Sequence, residues 1–431
     1  MVSGTSWGGL PFPGVYTSYD YGASVSIGSL LSIYHSYFLS QIAESRDLTT
    51  KYDELKRQGL FLRSSRDFYK TDWVADSSTG LSVSTNSDAF ITLLKNSDTG
   101  TQFFIARQGD STSTRVVLLR PFACHNPLTF FSNTITFKLN VTTNAGTVQI
   151  PTVANAITLG GRESKVIVTD YIFGSASEIS YSTASIFFAG IIDGRDVLFL
   201  HGNSTQQHEA SIKFTGTPTN LAQPSSSQIQ VRDGGNFTTV TILAGLQGFV
   251  TIYDSDTQLI LYADSTTAAT FWAPVIPGSA DDPLRNFWGI GTNQTILVGG
   301  PRLVRSVSLD STGKTLALIG DLKEGVTLTV IGPKTVTMAT WNGIPVSTDA
   351  QGMLPSAIDG SLVGQLSLHS NVTGIVVPKL TGWRFKDSLP EVTDITFSDV
   401  DWVLANKTTT NIPVKPAYGD GRILYGCDYG L

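Results

Sequence analysis

A chain of 431 residues that is 41% hydrophobic and only 15% charged can bury two or three cores, so one small domain and a disordered chain are both excluded. Its 35 acidic and 29 basic side chains are scattered without runs and sum to a formal net charge of −6, which lacks the clustered basic footprint of a nucleic-acid binder. Two cysteines, Cys124 and Cys427, stand far apart and away from any histidine cluster; neither a disulfide framework nor a zinc site is implied, and no cofactor is expected.

The chain opens on Met1-Val2-Ser3-Gly4, which has neither the basic start nor the apolar run of a secretory leader. The most apolar early window, residues 27–42, falls short of the ~20 residues of a membrane span and is broken by Ser29, Ser32, His35 and Gln41, so no membrane segment is expected. Gly4-Thr5-Ser6-Trp7-Gly8 has the spacing of a hydrolase nucleophile elbow. An elbow needs a helix directly after it, and Gly9, Pro11 and Pro13 forbid one. Residues 43–66 carry the one persuasive helical pattern, with Tyr52, Leu55, Gly59 and Leu62 on one face and Thr50 to Asp53 resembling a capping box. A helix of this length is marginal alone in water, so residues 1–66 are expected to be poorly ordered or to borrow a packing partner.

From about residue 67 the apolar period changes to two. Runs at 90–94, 102–106, 136–141, 165–168, 196–200, 248–253, 316–319 and 327–331 read as strands, and 41 glycines and 18 prolines fall mostly between such runs. That pattern predicts antiparallel sandwiches. The stretch 274–283, rich in proline and small residues, closes a large β-domain, and a smaller sandwich runs on to Pro378. His201 and His208 flank the turn-forming Gly202-Asn203-Ser204 and are expected on a surface loop rather than as a base or metal ligands. Gly289-Ile290-Gly291 is too short a match for a phosphate loop. Six Asn-x-Ser/Thr sequons, at Asn140, Asn203, Asn236, Asn293, Asn371 and Asn406, are candidate glycosylation sites and lean toward a secreted origin.

Five segments share an order that points to one family. They are GTSWG (residues 4–8) followed by TSYDYG (17–22), LGGRESKVIVTDY (159–171), GPRLVRS (300–306) and WRFKDSLP (383–390). Together they resemble the fungal-type β-galactosidases of glycoside hydrolase family 35. The resemblance implies a mainly β fold: tandem antiparallel β-sandwich domains, with a remnant of a (β/α)₈ barrel, its last strand and helix, at the N-terminus and an incomplete jelly roll at the C-terminus. On that reading 1–66 is the barrel remnant, 67–277 the second domain of the family, 278–378 its third domain, and 379–431 the start of the jelly roll. Residues 25–41 interrupt what the family writes continuously and have the length and possible codon boundaries of an unspliced intron; 115–133 is a weaker suspect of the same kind.

The family is implied to cleave terminal β-linked galactose from oligosaccharides or polysaccharides, outside the cell and as a monomer, with retention of configuration. Retaining glycosidases use two carboxyl groups about 5–5.5 Å apart, one nucleophile and one acid/base. The family supplies them as two glutamates on earlier barrel strands, one of them preceded by asparagine. None of the seven glutamates here, Glu44, Glu54, Glu163, Glu178, Glu209, Glu324 and Glu391, follows an asparagine or sits in barrel context. The catalytic pair is therefore expected to be absent and the chain alone inactive. By resemblance Tyr21 corresponds to a galactose-contacting tyrosine, with Tyr19, Asp20 and Trp7 in support; barrel-end packing is the alternative, and Ser6 departs from the family's asparagine. A different class of function, a non-catalytic carbohydrate-binding or structural β-sandwich scaffold, would use exposed aromatic platforms. Trp272, Trp288, Trp341, Trp383 and Trp402 are its candidates, although single tryptophans more often pack in cores.

Overall fold

The computed structural model describes residues 50–109, 114–115, 131–132, 134–161, 163–216, 228–285, 292–347 and 360–368, with positions 396, 398 and 400. The chain divides into two compact units, one of Met1–Tyr52 with Ser370–Leu431 and one of Asp53–His369. Nearly all described elements belong to the second. The TSYDYG motif, the suspected insert 25–41 and almost all of the expected jelly roll lie outside the described residues.

The second unit is mainly β. An eight-stranded antiparallel sheet runs in the order Thr71–Asp76, Ala89–Asn96, Gln102–Gln108, Ser164–Phe173, Ser177–Ser182, His208–Ile212, Thr238–Ile242, Ile229–Asp233. Side chains alternate across a strand, and in Gln102–Gln108 this sends Phe103 to one core and Phe104 and Ala106 to the other. The second of these cores is closed by two short ladders, Thr134–Phe137 with Ile157–Gly160 and Leu139–Thr143 with Gly146–Ile150, which contribute Phe137, Leu139, Ile150 and Ile157.

A four-stranded sheet, Ser185–Ile192, Arg195–Gly202, Gln258–Asp264 and Phe249–Asp254, packs on the other face. Leu198, Leu200, Ile260 and Tyr262 point into the core shared with the large sheet, whereas Val197, Phe199, Leu259 and Leu261 point away into a further core. A strand buried on both faces needs apolar residues at every position, which is why the run at 196–200 lacks polar alternation. The hairpin between Ser185–Ile192 and Arg195–Gly202 turns on Asp193 and Gly194, both at positive φ (51° and 77°), the geometry whose twist matches paired strands. One pairing departs from the antiparallel expectation: Arg195–Gly202 and Gln258–Asp264 run parallel.

The C-terminal part of the unit has two further four-stranded sheets, Phe271–Trp272, Leu297–Gly299, Val326–Ile331, Ser361–Leu366 and Leu303–Leu309, Thr315–Asp321, Met338–Trp341, Ile344–Pro345. They enclose Val298, Val307, Leu316, Leu318, Leu328, Val330 and Trp341. Here too one pair, Thr315–Asp321 with Met338–Trp341, is parallel.

The helix Thr50–Ser64 corrects two expectations. From Asp53 onward it is docked on the β-domains of its own chain: Leu60 enters the core with Phe188, Phe199 and Phe271, and Phe61 packs edge-on against Phe68 and Phe103. The buried face is also not the one the spacing selected. Leu55 and Leu62 are 40% and 38% exposed, while Leu60 and Phe61 are 7% and 8% exposed. Among the described residues no helix is long and apolar enough to cross a membrane.

Candidate functional site

Trp7, Tyr19, Asp20 and Tyr21 all lie outside the described residues, as do Asn371 and Asn406. Of the other sequon asparagines, Asn140, Asn203 and Asn236 are exposed and Asn293 is half-buried. Asn203 folds its own sequon into a turn, its side-chain oxygen accepting from Thr205 N at 3.0 Å and Thr205 Oγ1 at 2.9 Å. The expected aromatic platforms do not form where described. Trp341 is buried; Trp272 donates from Nε1 to the Pro301 carbonyl at 3.0 Å and has the Lys56 ammonium 4.0 Å above its ring. Trp288, Trp383 and Trp402 lie outside the described residues.

Of the described glutamates, Glu54, Glu163, Glu178 and Glu209 are engaged by neighbouring groups, and Glu324 is exposed. Glu54 accepts from Arg57 and Gln58 on its own helix, and Glu178 stands 3.5 Å from Lys213. Glu209 is fully buried, yet its carboxylate is not bare: Thr152 N (2.5 Å), Val153 N (2.8 Å), Ala154 N (2.5 Å) and the Tyr181 hydroxyl (2.5 Å) all donate to it. A buried charge is tolerable only when hydrogen-bonded in this way. The loop after Ile150 is thereby fastened to the large sheet.

A second polar knot surrounds Lys165, from the LGGRESKVIVTDY motif. Its ammonium donates to Gln206 Oε1 and lies 3.6 Å from Glu163 Oε1, while Gln206 Nε2 donates to Glu163 Oε2 at 3.0 Å. Glu163 also accepts from Gly160 N at 2.9 Å. Burial lowers the Lys165 pKa against the pull of Glu163. Beside this knot lie His201 and His208, which the structure does not leave on a loop: they are 9% and 1% exposed, at the end of one strand and the start of another. His208 Nε2 contacts the Asn203 carbonyl at 3.0 Å. Burial, reinforced by Arg57, His208 and Lys165, pulls His201 down to about 3; burial and Lys165 pull His208 down to about 4. Both are neutral at neutral pH.

Asp196 is the third such anchor. Its carboxylate accepts from Ser175 N (2.7 Å), Ala176 N (3.2 Å) and Ser177 N (3.1 Å) at the turn between Ser164–Phe173 and Ser177–Ser182. Gly174, at φ +63°, makes room: a Cβ there would stand 2.2 Å from Asp196 Oδ1. Sequence reasoning missed all three anchors, because each depends on partners distant in the chain: Glu209 with Thr152 (57 positions), Lys165 with Gln206 (41) and Asp196 with Ser175 (21). Among the described residues no group of three or more His, Cys, Asp or Glu side chains could hold a metal ion.

The described polar constellations thus fasten loops to sheets, and one open cavity lies at the turn residues 253–257 with Thr215 and Gly216. These features define a class: a mainly β protein of packed, largely antiparallel sheets. Residues 124–271 match the family model for beta-galactosidase, domain 2, and residues 272–353 match that for beta-galactosidase, domain 3. The chain belongs to the β-galactosidase family. It is 32% identical along its whole length to a probable beta-galactosidase B of Sclerotinia sclerotiorum and 30% identical along its whole length to a probable beta-galactosidase C of Aspergillus niger. In each case it spans 37% of the relative's length.

Proposed function

We propose that this chain carries the accessory β-domains, and the closing edge of the catalytic barrel, of an extracellular enzyme that hydrolyses terminal non-reducing β-D-galactose residues with retention. The reading is supported above all by two β-galactosidase domain matches in consecutive order, within a whole-length similarity that covers 37% of each relative. Residues 67–277 and 278–378 are taken as the second and third domains, 1–66 as the barrel edge and 379–431 as the start of a jelly roll. Tyr21 is the proposed galactose contact, with Tyr19, Asp20 and Trp7 behind it. Asn140, Asn203 and Asn236, being exposed, are the preferred glycosylation sites.

The 431 residues by themselves are proposed to be inactive. Retention requires a nucleophile and an acid/base, and the engaged environments of Glu54, Glu163, Glu178 and Glu209 favour neither role. Assay of the purified chain on a chromogenic β-galactoside is expected to give no turnover above a mock preparation; turnover above that level would overturn the reading.

A further inference from the structure

The strands Met338–Trp341 and Ile344–Pro345 are joined by Asn342 and Gly343, both at positive φ (50° and 83°), the geometry of a type I′ hairpin turn. Asn342-Gly343 is the one Asn-Gly pair in the sequence. Its asparagine does more than turn the chain. Asn342 N donates to the Leu318 carbonyl at 2.8 Å, and the carboxamide is clamped two residues further on: Oδ1 accepts from Gly320 N and Nδ2 donates to Gly320 O, each at 3.0 Å. The side chain thereby extends the parallel ladder between Thr315–Asp321 and Met338–Trp341 beyond its last paired residues. Gly320 is itself wedged in place, since a Cβ there would collide with the Leu303 carbonyl and the Trp341 ring.

The same pair can react with itself. Asn342 and Gly343 are exposed, and a Cβ at Gly343 would meet nothing within 4 Å, so water reaches the turn and no side chain shields it. In deamidation the Gly343 nitrogen attacks Asn342 Cγ. The new C–N bond closes a cyclic imide, the Cγ–Nδ2 bond breaks, and ammonia leaves carrying the proton from the Gly343 amide. Water then opens the imide at either carbonyl, giving aspartate or, with the main chain rerouted through the side-chain carbons, isoaspartate. Attack requires the carboxamide to swing from Gly320 to Gly343, which breaks both clamping hydrogen bonds, so the reaction runs through a local opening of the turn. Neither product fits the clamp. Aspartate keeps an acceptor for Gly320 N but sets a charged oxygen against Gly320 O where a donor stood, and isoaspartate lengthens the main chain of a two-residue turn.

We propose that Asn342 is a site of spontaneous covalent modification, deamidation to aspartate or isoaspartate, which the Gly320 clamp holds off in the folded hairpin and which is irreversible once the turn opens. The effect reaches the core. Leu318 and Trp341 are paired residues of this sheet and both line its interior, so a misfitting residue 342 loosens the strand pair that carries them. The proposal concerns the folded unit alone and stands whether or not the chain takes part in galactoside cleavage.

The test incubates the full 431-residue chain, folded in buffer and unfolded in guanidinium chloride, at one mildly alkaline pH and one temperature. Peptide mass spectrometry counts asparagine, aspartate and isoaspartate at position 342. In the unfolded chain conversion is expected to be faster at Asn342 than at any other asparagine; in the folded chain it is expected to be about tenfold or more slower there, the protection that two hydrogen bonds confer. Asn342→Asp, which is one of the two products, is expected to melt a few degrees below the unaltered chain at neutral pH. That deficit is expected to narrow below about pH 4, where the protonated acid again donates to Gly320 O. Equal rates in the folded and unfolded chain, Asn342 outlasting other asparagines when unfolded, or an Asn342→Asp variant with no deficit or one indifferent to pH would each overturn the proposal.

Discussion

At Glu209 three backbone N–H groups and a phenol converge on one carboxylate in the protein interior. With the Thr152 hydroxyl, Glu209→Ala would strand five donors at once, and a loss of about 3–5 kcal/mol is expected in urea denaturation; Glu209→Gln, which keeps one acceptor oxygen, is expected to lose less. The two buried histidines set a pH dependence. Their folded pKa values, about 3 and about 4, lie below the ordinary value of 6.5. Between about pH 6.5 and 4 the unfolded chain therefore holds protons that the folded chain refuses, and stability falls as pH falls through that window. Melting curves across it are expected to slope downward toward acid, and less steeply in His201→Gln. None of this chemistry was legible in the sequence. Gly202-Asn203-Ser204 does form a turn, as its composition indicates, but the turn is so short that the histidines on either side are already inside the sheets.

The helix Thr50–Ser64 shows how a correct element can be read with the wrong face. Its sequence carries apolar residues on two faces, Leu55 with Leu62 and Leu60 with Phe61, and spacing alone favours the first. What decides between them is polar: Arg57 Nη1 donates to the Ser265 carbonyl at 2.9 Å and Lys56 to the Ala269 carbonyl, at the two ends of the short helix Ser265–Ala269. Those contacts turn Leu60 and Phe61 inward. Burial draws Lys56 down to about 8 despite the nearby Asp53. Phe61→Ala is expected to cost about 3–5 kcal/mol and Leu62→Ala less than about 1 kcal/mol, read from denaturation midpoints at constant slope. The strands were easier to read. Apolar runs in doubly buried strands have no helical period to compete with, although the run 136–141 is in fact two strands broken at Lys138, whose amide bonds to the Thr85 hydroxyl at 2.8 Å.

At the scale of the whole second unit, the two matched domains are not independent beads. Leu297 and Ile331, from the segment matching domain 3, sit in one cluster with Phe199, Leu259 and Leu261 from the segment matching domain 2. Lys334 N donates to Asp193 Oδ2 at 2.8 Å across the same boundary. A shared core couples unfolding, so calorimetry is expected to show one transition for residues 53–368, and Leu297→Ala is expected to lower that transition as a whole rather than split it. The mainly β class and the family were legible because turn residues and long motifs survive in the sequence. The parallel pairings and the joint core were not, since they join segments that are not neighbours in the chain, from 23 positions apart (Thr315 with Met338) to 62 (Asp196 with Gln258) in the pairings.

The short ladder that pairs Thr114–Arg115 with Phe131–Ser132 has a consequence for how this protein tolerates variation. Antiparallel partners lie about 4.5–5.5 Å apart, so the ends of the stretch 116–130 already meet, and the loop-closure entropy of a longer or shorter connection differs only by fractions of a kcal/mol. Shortening or lengthening the chain within 116–130, with Arg115 and Phe131 kept, is therefore expected to shift the melting temperature little.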